Sequence, residues 1–294
     1  LVGGYPGQGL GWGGVMFGYC IRPPDPAVVG DEWRAMWRAR LDNTPMFLKT
    51  WLEHQLRDET WVQGSVCEEY DRIQVPVLAV SGWNDCWPNT VFRLLENVNA
   101  PCRGISGAWG HVYPNLGGPG PGIDFLGLAL TWWDRWLRDD DNGVMDEPSL
   151  LAYLQDSHSP TPMASARPGR WVAVSTWPSP EVSVMTLHLG PNGLDETATI
   201  GITKVEICSP VWTGLTSGEY MPIAGVRELA DDQGPDDAVS ACFNGPVLNQ
   251  ELELLGTPLV HLRVTCDQDE GLVVARLCDV SPEGSSTLMS YGIL

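Results

Sequence analysis

The sequence predicts an α/β chain that passes, near residue 147, into an all-β region. Three observations predict this. The segment IQVPVLAV, residues 73–80, is apolar on both alternations, the mark of a strand covered on both faces of a parallel sheet. An amphipathic helix, a second short apolar run, a loop and another helix follow, so strands and helices alternate. Beyond residue 147 the pattern changes to short alternating runs between Pro- and Gly-rich turns. A length of 294 residues favours two domains, 1–146 and 147–294.

The elements follow in order. The start, LVGGYPGQGLGW, is Gly-rich but lacks G-x-x-x-x-G-K-[ST] and has no strand before it. It reads as a loop running into the apolar turn VMFGY. It carries neither an initiator Met nor a targeting pattern, and the end, SYGIL, has no cap or turn signal. Both features predict a fragment of a longer protein. PPDP marks a break, after which Asp31 and Glu32 open a helix, where negative charge suits the dipole. Trp33, Met36, Trp37 and Leu41 form its apolar stripe, and Leu48, Trp51, Leu52 and Leu56 form a second. The two read either as a cap over a cleft or as ordinary core packing. Pro76 sits early in the first strand, where its missing N–H is tolerated. Pro88–Val98 reads as a helix with Pro88 near its first turn, and Arg103–Trp109 as the second strand. Phe125–Leu137 is an amphipathic helix with Gly143 as its stop. RWVAV, SVMTLHL, ELELLGTPLVHLRVTC and GLVVARLCDV then read as strands of a β-sandwich.

Composition narrows the function. A net charge of −20 disfavours phosphate backbones and anionic membrane surfaces, so no nucleic acid and no membrane is expected as a partner. The clusters Asp139–Asp141, Asp231–Asp232 and Asp236–Asp237 read as solvated loops. Eight Cys include no C-x-x-C pair and no zinc spacing, which predicts buried free thiols. His54, His158, His188 and His261 form no ligand set, so no metal and no cofactor is expected. No apolar run reaches transmembrane length. The compartment is left open, with a cytoplasmic location preferred. Fourteen Trp imply a broad aromatic core or a deep apolar pocket.

The chemistry is carried by SGWNDCWP, residues 81–88, and GAWGH, residues 107–111. In open α/β sheets, ligands sit beyond the carboxyl ends of the strands. Asp85 and His111 both fall just past such ends, twenty-six residues apart, enough for one helix and one strand. Adjacent strands lie about 5 Å apart, so their loops can join a carboxylate to an imidazole. A carboxylate on Nδ1 fixes the tautomer and stabilises the imidazolium. Asp followed by His on the last two strands is the order that α/β-hydrolases use. The alternatives are a helix-capping Asp85 and a core His111. No G-x-S-x-G elbow occurs, and neither Ser81 nor Ser106 has both of its glycines. The nucleophile is therefore expected upstream of Leu1, rather than being Asp85 itself. Trp83 and Trp87 either wall an acyl or leaving-group pocket or belong to the core.

GSVCEEYDRIQVPVLAVSGWNDCWPNTVFRLLENV, GAWGHVYPN, LTWWDRWLRDDDNGVMDEPSLLAYLQDS and GRWVAVSTWPSP together resemble the CocE/NonD hydrolases of the S15, X-Pro dipeptidyl-peptidase group. The resemblance covers most of the chain and is strongest over residues 60–180. RPPDPAVVG and the Trp-rich helix after it resemble the family's cap segment. It implies the C-terminal part of an α/β-hydrolase domain with cap helices over about 28–65, then an incomplete jelly roll at 147–294. It implies Asp85 as triad acid and His111 as base, with the Ser and the oxyanion Tyr upstream. The substrate would be a small-molecule ester, an amide or a short peptide, X-Pro peptides included. Two departures stand out: GAWGH replaces the common GPWGH, and Cys86, Trp87 and Pro88 stand where members acting on α-amino acid esters carry acids. A reading from another class is a carbohydrate- or partner-binding β-sandwich on a degenerate hydrolase scaffold.

Overall fold

The structure, a computed structural model, describes residues 6–54, 56–191, 193–197, 204–222, 229–269 and 271–294. The chain divides into two compact units, Leu1–Tyr70 and Asp71–Leu294.

The first unit is helical. α1 spans Pro6–Cys20, α2 Pro26–Val29, α3 Trp33–Asn43, α4 Phe47–Glu53 and α5 Glu59–Val62. From Pro6 on, the Gly-rich start is thus a helix and not the loop that its composition suggested, residues 1–5 lying outside the described ones. The reason is tertiary, because α1 packs along α4. A Cβ at Gly13 would lie 2.9 Å from Leu48 Cγ and 3.0 Å from Trp51, so only a glycine lets the helices approach this closely. One turn on, Phe17 meets Phe47 edge-on at 6.1 Å. Asp25 caps α2 through Ala27 N–H (2.8 Å), with Pro26 at the first helical position. Asp31 and Glu32 form a 3₁₀ turn leading into α3. On α3, Trp33 and Trp37 stack at 6.1 Å, and Trp37 Nε1 donates to Ile21 O (2.9 Å). The second apolar stripe stops short: Leu56 lies beyond α4 and is exposed.

The second unit is built on a four-stranded sheet in the order β1-β2-β3-β4, with β1 Val77–Gly82, β2 Cys102–Gly107, β3 Leu150–Gln155 and β4 Gly169–Val174. β1, β2 and β3 are parallel and β4 is antiparallel to β3. β1 and β2 pair in step, from Val77 with Cys102 to Gly82 with Gly107. α6 (Asn89–Asn97) crosses back over β1 and β2, burying Val91 and Phe92 against Ala79, Leu150 and Ala152. Each such side chain contributes about 1.5–3 kcal/mol by leaving water. The strand–helix–strand order and the parallel pairing make this part α/β.

α7 (Phe125–Arg138) follows β2. Asp124 caps it by accepting Gly127 N–H (3.0 Å). It ends at Asp139, in the left-handed conformation at φ 58°, four residues before the expected Gly143, since an Asp side chain tolerates that conformation. RWVAV, read as part of the all-β region, forms β4 and extends the mixed sheet.

Beyond β4, the described strands form two antiparallel ribbons. β5 (His188–Gly190) pairs with β6 (Gly193–Asp195), and β7 (Val274–Val280) with β8 (Ser286–Ile293). SVMTLHL is a strand only at its end, and ELELLGTPLVHLRVTC at 251–266 contains none. Alternation creates a pleated, half-apolar surface but no hydrogen-bonding neighbour, and Leu252, Leu254, Leu262 and Val264 stay exposed. A short helix, α8 (Gly234–Asp237), lies between the ribbons in sequence.

Two expectations from composition are corrected. The thiols are free, but none is fully buried: Cys20, Cys67, Cys208, Cys242 and Cys266 are exposed and Cys86, Cys102 and Cys278 half-buried. Most lie on loops or at helix ends rather than in the sheet core. The acids near α8 are not a solvated run either. Asp236, 1% exposed, accepts Gly214 N–H (2.9 Å), Thr216 N–H (3.3 Å) and the Thr216 hydroxyl (2.6 Å). Asp232 accepts Ser286 N–H (3.0 Å), and Asp237 pairs with Arg276 (2.8 Å). These loops lack ladder partners, and the carboxylates supply acceptors for their N–H groups. Asp139, Asp140 and Asp141 are exposed.

Candidate active site

The candidate site forms where β1 and β2 end side by side. The in-register glycines Gly82 and Gly107 explain how. A Cβ at Gly82 would overlap the carbonyl oxygen of Trp109, and one at Gly107 would overlap its ring. Both strands must end in glycine for Trp109 to fold back across them and be buried. Trp109 O then accepts Asn84 N–H (3.2 Å), Gly107 O accepts Trp83 N–H (2.8 Å), and Asn84 Nδ2 donates to Ala108 O (2.7 Å). The two loops are thereby stitched together before Asp85 and His111 are reached.

Asp85 sits in a tight turn with its N–H on Gly82 O (3.0 Å). Both its oxygens are engaged: Oδ1 accepts Trp87 N–H (3.2 Å) and Oδ2 lies 3.0 Å from His111 Nδ1. The Asp85 side chain is 12% exposed and that of His111 41%. A carboxylate accepts only, so His111 Nδ1 carries the proton, and Nε2 is the basic atom of the neutral ring. The expected pair is therefore in mutual contact, with His111 on the wetter side. Capping of a helix by Asp85 is not observed; α6 has Pro88 at its N-cap and no side-chain cap.

The two tryptophans separate. Trp87 is 37% exposed and meets His111 edge-on, centroids 5.5 Å apart at 78°. Trp83 packs with the core cluster, stacks on Phe92 at 5.5 Å and donates Nε1–H to Tyr153 O (2.6 Å). One anchor escaped the sequence reading: His111 N–H donates to Pro222 O (2.8 Å), a contact over more than a hundred residues for which no local motif exists. The remaining histidines lie elsewhere. His54 bonds Asp58 (2.5 Å) in the helical unit, His158 bonds Asp156 O (3.0 Å), His188 is on β5, and His261 is exposed. Among the described residues no cluster of His, Cys, Asp and Glu is arranged to hold a metal ion, and no helix is long and apolar enough to cross a membrane.

Residues 8–113 match the family model of the X-Pro dipeptidyl-peptidase (S15 family), and residues 142–294 that of the X-Pro dipeptidyl-peptidase C-terminal non-catalytic domain. The chain is 25% identical over 283 residues to a cocaine esterase from Rhodococcus sp. (strain MB1 Bresler), covering 85% of this chain and 46% of that protein. Two crystal structures of a CocE/NonD family hydrolase from Staphylococcus aureus are similar at 17% identity. Each covers 56% of this chain, and the matches take in 29% and 28% of theirs, with TM-scores of 0.40 and 0.41. The chain thus spans about half the length of the curated relative that it matches. With the model of the C-terminal non-catalytic domain covering 142–294, more than half of its residues, and the S15 model covering 8–113, the chain belongs to the X-Pro dipeptidyl-peptidase (S15) family.

Proposed function

We propose that this chain contributes the acid and base of a Ser-His-Asp triad to a serine hydrolase that cleaves an ester or amide bond, X-Pro peptides included. The observation that carries the reading is the 3.0 Å contact between Asp85 Oδ2 and His111 Nδ1 at adjacent strand ends. Asp85 holds Nδ1–H, so Nε2 of His111 takes the proton of a serine hydroxyl as that oxygen attacks the carbonyl. The imidazolium is stabilised by Asp85 and returns the proton to the leaving group. Water repeats the cycle on the acyl-enzyme. The serine belongs to a part of the protein outside residues 1–294, since no G-x-S-x-G occurs within them. Trp87, beside the imidazole, walls the substrate pocket, and Trp83 supports the strand ends from the core. The helices over about 28–65 are the family's cap segment, and residues 147–294 are its jelly-roll, galactose-binding-like module. The family-model match and the antiparallel ribbons support that assignment.

The rival reading, a carbohydrate- or partner-binding sandwich, finds little support. The ribbon strands β5–β8 carry one aromatic residue, Tyr291, where a sugar-binding face needs several. The test uses the full-length protein with an activated ester. Asp85→Asn should lower kcat about 10⁴-fold with the fold intact, because the tautomer is lost. His111→Ala should abolish labelling by a serine-directed phosphonate. Near-normal turnover in Asp85→Asn would refute the roles assigned here.

A further inference from the structure

Arg167 lies at the foot of the loop that follows His111. Its N–H donates to Gly120 O (2.9 Å), and its carbonyl accepts the Tyr153 hydroxyl (3.0 Å). Only its backbone is held in this way. The residue is 8% exposed, yet its guanidinium forms no hydrogen bond and no ion pair among the described residues. The contrast with the buried Arg103 and the half-buried Arg276 is plain. Arg103, 7% exposed, bonds the Glu147 carboxylate (2.6 Å) and the carbonyls of Val144 (3.2 Å) and Pro148 (3.3 Å). Arg276 bonds Asp237 (2.8 Å) and Gln233 (2.9 Å). A buried cation without an acceptor is costly, and a guanidinium offers five donors in a fixed fork.

His158 stands at the neighbouring strand end, where Asp156 N–H donates to Pro168 O (3.0 Å), next in sequence to Arg167. Its Nδ1–H donates to Asp156 O (3.0 Å), which leaves Nε2 as the titrating atom. Burial pushes its pKa down, the positive charge of Arg167 adds to that, and the Asp156 carbonyl and the negative charge of Asp279 oppose it. Asp279 is itself engaged by the Ser157 hydroxyl (2.5 Å), and His158 O by the Thr287 hydroxyl (2.9 Å), which fixes the loop around the ring.

We propose that Arg167 and His158 form a binding site for a compact oxyanion, a carboxylate or a phosphate group. The planar fork matches two oxygens of either group bidentately, and a protonated His158 adds a further donor from Nε2. A bound anion offsets the Arg167 charge, which adds to burial in disfavouring the protonated ring, so ligand and proton bind together.

The experiment titrates the chain with inorganic phosphate and, separately, with acetate, at ionic strength held constant with chloride. The readouts are the imidazole Cε1–H resonance of His158, identified by its loss in His158→Gln, and the midpoint of thermal unfolding. Saturable binding is expected for at least one anion, with the His158 pKa rising towards its ordinary value. Arg167→Gln should weaken that binding at least roughly tenfold, the worth of one charged hydrogen bond, and Arg167→Lys by less. Saturation by acetate alone marks a carboxylate ligand, and by phosphate alone a phosphate ligand. The proposal is overturned if neither anion moves His158 beyond the chloride control. It is equally overturned if Arg167→Gln binds as tightly as the wild type. Should that variant not fold, the wild-type titration decides.

Discussion

Gly82→Ala perturbs the joint on which the candidate site rests. The added Cβ would overlap the carbonyl oxygen of Trp109 and lie 2.7 Å from its carbonyl carbon, where ordinary contact begins at 3.4 Å. The obstacle is backbone, so no rotamer change relieves it. The 107–111 segment must move away from β1 by several tenths of an ångström or more. That movement weakens the bonds from Asn84 N–H to Trp109 O (3.2 Å) and from Trp83 N–H to Gly107 O (2.8 Å). Overpacking costs about 1–3 kcal/mol, and two weakened hydrogen bonds add about 1 kcal/mol each. The expected loss is therefore about 3–5 kcal/mol. Urea unfolding of the chain, followed by tryptophan fluorescence, measures it. The same shift separates Asp85 Oδ2 from His111 Nδ1, now 3.0 Å apart, so the hydrogen-bonded Nδ1–H resonance of His111 should move or vanish from the NMR spectrum of the fraction that remains folded. A Gly82→Ala variant that loses less than about 1 kcal/mol and keeps the wild-type His111 Nδ1–H resonance would refute the argument that the glycine pair assembles the site.

Other outcomes follow from the same geometry. In α1, Gly14 has open space around a Cβ whereas Gly13 does not. Gly14→Ala should raise stability by about 0.5–1 kcal/mol and Gly13→Ala should lower it, with thermal unfolding distinguishing the two. Burial pushes the Asp236 carboxyl up, but its bonds from Thr216 and Gly214 and the nearby Arg276 outweigh that and leave it below the usual carboxylate value. A depressed folded-state pKa stabilises above the unfolded value and loses that contribution as pH falls through the folded one. Stability measured from pH 6 down should therefore drop less steeply in Asp236→Asn than in the wild type, from a lower starting point. Burial also pushes the Cys102 thiol up to about 11. Alkylation at pH 8, mapped by mass spectrometry, should label the exposed Cys20 and Cys67 well before Cys102; equal rates would contradict its placement on β2.

The sequence by itself determined whatever depends on local pattern. VLAV, the second half of IQVPVLAV, lies in β1 as its apolar run predicts, while residues 73–76 precede the strand and Val75 is exposed; the 89–97 and 125–138 helices follow from their periodicity, and Asp85 and His111 fall past strand ends because two short apolar runs stop just before them. Tertiary structure decided what depends on a neighbour distant in the chain. A glycine-rich start is helical because α4 needs a close approach at Gly13. Alternating residues at 251–266 form no strand because an apolar alternation does not name its partner. His111 is held by Pro222 O, and Arg167 is left without an acceptor, through contacts that no spacing in the sequence encodes. Periodicity records which faces a segment buries, but hydrogen-bond partners across the fold are chosen only when all the backbone groups compete for them at once.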